Sequence, residues 1–102
     1  MKVSFTDRIS VPGHVLVRFL DKECVLLNLQ TERYFGLDET GARMWQLVTT
    51  AATIDSAYRQ LQEEFRVDRE LLRANLTDLV ARLSDNGLLE LSPADVGTAS
   101  AV

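Results

Sequence analysis

Between Val15 and Leu37 the apolar and polar positions follow the spacing of strands, and from Asp38 onward they follow the spacing of helices. Val15–Leu20 and Glu23–Leu29 are rich in Val and Leu and are separated by the polar pair Asp21-Lys22, where the chain can reverse. They predict an antiparallel hairpin. Gln30-Thr31-Glu32 is a second polar break, and Arg33-Tyr34-Phe35-Gly36-Leu37 then completes a three-stranded meander. Such a sheet needs a covering layer to be stable.

Three amphipathic helices supply that layer. Asp38 is placed to N-cap the first, its carboxylate accepting orphan N–H groups, and Glu39 favours the positive end of the helix dipole. This helix is expected to reach about Val48, with Ala42, Trp45 and Val48 on its apolar face and Met44 and Leu47 widening it. Gly41 costs roughly 1 kcal/mol relative to Ala near the helix start. Thr53 caps a second helix, in which Ile54, Ala57, Tyr58, Leu61 and Phe65 recur at helical spacing through Glu64 or Phe65. Asp68 caps a third, whose stripe is Leu72, Leu76, Leu79, Val80 and Leu83, and Asn86-Gly87 is its expected stop. Leu88–Leu91 reads as a short extended return, and Ser92–Val102 is small and polar, which predicts a disordered tail after a domain spanning 1–91. The expected class is α+β, a three-stranded antiparallel sheet followed by three helices.

Composition narrows the function. A chain of 102 residues is one small domain that buries roughly 60 to 65% of its unfolded surface. Apolar residues are 46% and charged residues 25%, and no apolar run approaches the roughly 18 residues of a membrane span. The start MKVSFTDRISVPG lacks a signal-like apolar segment and the single Cys24 has no internal partner, so a cytoplasmic location is expected. Nucleic-acid affinity comes largely from clustered Lys and Arg, and the net charge here is −4. Asp68–Asp85 itself sets Arg69, Arg73 and Arg82 against Asp68, Glu70, Asp78 and Asp85. That acidic balance disfavours the alternative of a winged-helix DNA-binding regulator with the third helix as reader.

Catalytic signals are sparse. His14 has no second His or Cys at a metal-ligand spacing, and Cys24 lies among apolar strand neighbours, where a thiol packs rather than reacts. There is no Gly-rich phosphate loop and no Gly-x-Ser-x-Gly elbow, while Glu63-Glu64 and Asp68-x-Glu70 read as solvated helix faces and caps. No catalytic residue, metal or cofactor is expected, and the chain is not expected to be an enzyme. Trp45 belongs to the core. Tyr34 and Phe35 point to opposite faces of their strand, so one can enter the core while the other borders an exposed surface. A strand at a sheet edge keeps unpaired N–H and C=O groups, which are blocked, covered or used to accept another chain.

The segments LLNLQTERYFGLDETGARMW, L-x-x-x-F-x-V-D at Leu61–Asp68 and L-x-x-L-x-x-L-x-x-x-G-L-L at Leu76–Leu88 resemble the PqqD family of peptide-modification chaperones, also called RiPP recognition elements. The resemblance covers roughly His14–Leu91. It implies a winged-helix-like domain that binds the leader of a ribosomally made precursor peptide as an added strand and delivers it to a modifying enzyme, such as a leader peptidase or a radical SAM protein. The product class suits a lasso peptide at least as well as the quinone cofactor that names the family. Carried onto this sequence, the peptide-binding residues are Arg33, Tyr34, Phe35, Gly36 and Leu37 on the strand. The helix carried over is Asp68–Asn86, and at about 100° per residue the shoulder with Leu72, Arg73, Leu76 and Val80, beside Arg69, is its expected groove wall. The opposite shoulder, with Leu71, Asn75 and Arg82, stays open as the other candidate wall. Thr31-Glu32 departs from the family, where many members have Thr-Gly in this turn. A subunit that uses its sheet edge to form a homodimer is the remaining alternative.

Overall fold

The computed structural model describes residues 3–93. Three strands, β1 (Arg8–Ser10), β2 (Val15–Leu20) and β3 (Glu23–Asn28), are followed by β4 (Arg33–Leu37). Three helices, α1 (Glu39–Thr50), α2 (Ile54–Glu64) and α3 (Arg69–Asp85), come next, and β5 (Glu90–Ser92) closes the order. The class is α+β, with the expected three-stranded antiparallel sheet ahead of three helices.

The main sheet has the order β2-β3-β4, so β2 and β4 are both edges. Its register runs without a skipped residue from Cys24 opposite Leu37 to Asn28 opposite Arg33. Side-chain alternation then assigns the faces. Cys24, Leu26 and Asn28 face the helices and are buried, while Val25 and Leu27 face outward and are half-buried. Burial pushes the Cys24 thiol above its ordinary value, which keeps it protonated and unreactive.

Each helix begins on the residue expected to cap it. The Asp38 side chain accepts from the Gly41 N–H at 2.8 Å, Thr53 from Ser56 at 3.2 Å, and Asp68 from Leu71 at 3.1 Å. Trp45, Val48, Ile54, Leu61, Leu76, Leu83 and Leu26 share one core. Fully burying such a side chain contributes about 1.5–3 kcal/mol, so this cluster dominates the stability of the domain. Arg43 joins α1 to the end of α2 through both oxygens of Glu64, at 2.8 and 2.6 Å.

The stop of α3 is built by Gly87, whose φ of +74° is the left-handed conformation. Leu88 N–H reaches back to the Leu83 carbonyl and Gly87 N–H to that of Ser84, which together satisfy the helix end. A Cβ at Gly87 would stand 2.9 Å from Asn28 Nδ2. That closeness has a purpose, because buried Asn28 ties three elements together. Its Nδ2 donates to the Asn86 carbonyl at 3.0 Å, and its Oδ1 accepts from the Gln30 and Thr31 N–H groups in the β3–β4 turn. His14 Nε2 donates to the Gly87 carbonyl at 3.1 Å, a packing contact.

A second sheet was not expected from the sequence. β1 pairs antiparallel with β5, Arg8 opposite Ser92 and Ser10 opposite Glu90, so the extended return after α3 runs one residue past Leu91. The segment before β1 also docks on α2. Its Asp7 and Phe5 carbonyls accept from the Ile54 and Asp55 N–H groups, donors that a helix start otherwise leaves unpaired. Of the expected disordered tail, 94–102 lies outside the described residues.

Candidate functional site

Strand β4 carries the chemistry of an open edge. One side pairs with β3, so alternate residues direct N–H and C=O groups away from the sheet. The helical layer does not close over that side. At the Gly36–Leu37 end a cleft of about 390 Å³ separates the strand from α3, and its far wall is Asn75, Asp78, Leu79 and Arg82. At the Arg33 end a larger cleft of about 960 Å³ runs between Arg33 and Ser84, Asp85 and Asn86. The two share the same pair of elements, with the strand descending as the helix rises. They open beside opposite ends of β4 and are together called the β4–α3 channel.

The channel has an apolar floor and a polar far wall. Leu37, Met44 and Leu79 are nearly fully buried beneath the Gly36–Leu37 end. Asp78 and Arg82 form an i,i+4 ion pair at 3.1 Å on the wall, with both side chains exposed. At the other end the lining includes Asn28, bonded to the Asn86 carbonyl, and His14, bonded to the Gly87 carbonyl.

The nine expected peptide-binding residues fall into two groups. Arg33, Tyr34, Phe35, Gly36 and Leu37 all lie on β4, with Tyr34 72% exposed on the outer face and Phe35 half-buried on the inner. Leu72, Leu76 and Val80 are core residues, at 3, 0 and 0% exposure. The Arg73 guanidinium lies over the Phe5 ring, 3.9 Å from its centroid, and 5.7 Å from that of Tyr58. Phe5 and Tyr58 in turn meet edge to face at 5.4 Å. On the shoulder bearing Arg73, the guanidinium therefore packs on the chain's own N-terminal segment, with Arg73 still exposed to solvent. The opposite shoulder, where Asn75 and Arg82 stand, is the one that faces β4. Asp78 and Leu79 on that wall carried no functional signal of their own in the sequence. The spacing of Asn75, Asp78 and Arg82, at three and four residues, was the available clue to a shared helix face.

Among the described residues no cluster of three or more His, Cys, Asp or Glu side chains is arranged to hold a metal ion. No helix among them is long and apolar enough to cross a membrane.

Comparison with known proteins bears on this geometry. The family described as Coenzyme PQQ synthesis protein D (PqqD) matches residues 23–89. Among solved structures, TbiB1 in complex with the TbiA(beta) leader peptide is 34% identical, with a TM-score of 0.71, over 79% of this chain and 94% of that one. A lasso peptide synthetase B1 complexed with the leader peptide shares the fold, with a TM-score of 0.67 at 23% identity, over 81% of this chain and 98% of the other. No curated protein matches.

Proposed function

Because the chain belongs to the PqqD family, we propose that it binds the leader of a ribosomally made precursor peptide as a strand added to β4 and delivers it to a modifying enzyme. The observation that carries this reading is the free β4 edge facing α3 across an open channel. The similarity to TbiB1, a protein solved with a leader peptide, supports it.

Strand addition suits the chemistry available. About four to six backbone hydrogen bonds at a net 0.5–1.5 kcal/mol each, with one or two apolar anchors over Leu37, Met44 and Leu79, offset the ordering of a flexible peptide. Binding in the micromolar range or somewhat tighter follows. Backbone bonds supply affinity without reading sequence, and the channel walls supply the selection. The chain's role is to hold and present the leader, leaving bond-making to a partner such as a leader peptidase or a radical SAM protein of a lasso-peptide pathway. The second edge, β2, remains free for that partner or for a second copy in a homodimer.

Titration of a fluorescent leader peptide from the precursor encoded beside this chain tests the proposal. Saturable one-to-one binding is expected, with negligible binding of random duplex DNA at low salt. Duplex binding that outcompetes the leader would overturn it.

A further inference from the structure

Gly36 stands in the middle of an edge strand, where glycine weakens pairing and presents nothing to pack. The fold gives no reason for it. The β3–β4 register passes through Gly36 opposite Val25 without a bulge, and its φ is not in the left-handed region. A Cβ built there would meet no atom of the chain within 4 Å. Glycine in a strand otherwise marks the close approach of another molecule.

The direction of approach follows from alternation. Gly36 and Val25 share the outer face, the one turned away from Cys24 and Leu26. Tyr34 lies two residues away on the same face and is 72% exposed, so beside Val25 and Tyr34 this face carries no side chain at Gly36, a gap here called the notch. A strand added to β4 places the residue opposite Gly36 on this face, with its side chain beside the notch. A bulky ring laid across an edge glycine covers exposed backbone and gains the contact that the missing side chain forgoes.

We infer that Gly36 is a specificity-determining residue that admits a large apolar or aromatic leader side chain on the outer face of the sheet, against Tyr34 and Val25. Gly36 also borders the cleft toward α3, and leader side chains of opposite parity point to the inner face of the sheet. The inference rests on the leader-binding reading above.

Gly36→Val and Gly36→Ala test it. Both substitutions favour strand structure and meet no neighbour, so circular dichroism and urea midpoints should be unchanged or improved. Leader affinity, measured by titration calorimetry with the synthetic peptide, should fall at least tenfold for Gly36→Val and by an intermediate factor for Gly36→Ala. An alanine scan of the leader should then find one bulky residue whose removal costs at least tenfold against the wild-type chain and less than twofold against Gly36→Val. Wild-type-like binding by both variants, or the same scan in both backgrounds, would overturn the inference alone. Failure of the wild-type chain to bind the leader would overturn the reading beneath it as well.

Discussion

Two turn residues show how the chain departs from easy local geometry. Asp21 and Glu32 both have positive φ, 64° and 61°, in the conformation that glycine adopts without steric cost. Glu32 occupies a left-handed position that suits glycine, and the β3–β4 turn keeps this shape with glutamate, held by Asn28. Replacing Glu32 with Gly should therefore raise stability by up to about 1 kcal/mol, read as a higher urea midpoint at constant slope. A second residue-scale expectation concerns acid. The bidentate hydrogen bond from Arg43 holds the Glu64 carboxyl below its ordinary value, and partly exposed surroundings keep the effect modest. A depressed carboxylate stabilises the fold fully above its ordinary value, and that contribution is lost as pH falls through the lower folded value. Glu64→Gln should remove this part of the acid sensitivity, so the wild-type and variant stability curves should converge at low pH.

Among the elements, those with local signals were legible. Asp38, Thr53 and Asp68 cap their helices as their side chains and positions suggested, and the Val-rich and Leu-rich runs about Asp21-Lys22 form the hairpin. β1 was missed because Arg-Ile-Ser is too short to show a period, and its pairing with β5 comes from the far end of the chain. A second contact from the N-terminal segment bears on the faces of α3. Helical spacing alone defines two shoulders beside the Leu72–Leu76–Leu83 stripe, and the fold sets Arg73 against Phe5 and turns Asn75, Asp78 and Arg82 toward β4. Paired variants separate them. Arg82→Ala, on the wall facing β4, should weaken leader binding by up to about tenfold, the equivalent of one charged contact. Arg73→Ala should leave leader affinity within twofold and lower stability by about 0.5–1 kcal/mol through the lost cation–π contact. The reverse pattern in peptide titrations would return the wall to the Arg73 shoulder.

For the molecule as a whole, the arrangement is a three-stranded sheet with helices on one face and two free edges. The edges differ in what surrounds them. Beyond buried Val15, β2 is exposed on both faces, with Phe19 44% and Leu20 55% exposed, because α1 packs against β3 and β4. β4 instead faces α3 across a channel with an apolar floor, so a peptide paired there gains side-chain contacts as well as backbone bonds. The outward apolar positions Leu16, Leu20, Val25 and Leu27 extend from β2 to the notch at Gly36. The most direct measurement is a backbone amide titration of isotopically labelled protein with the leader peptide. The account predicts saturable shifts in Arg33–Leu37 and in the Asn75–Arg82 wall of α3, with β2 little changed. Shifts confined to Val15–Leu20, or a silent β4 at saturation, would contradict it.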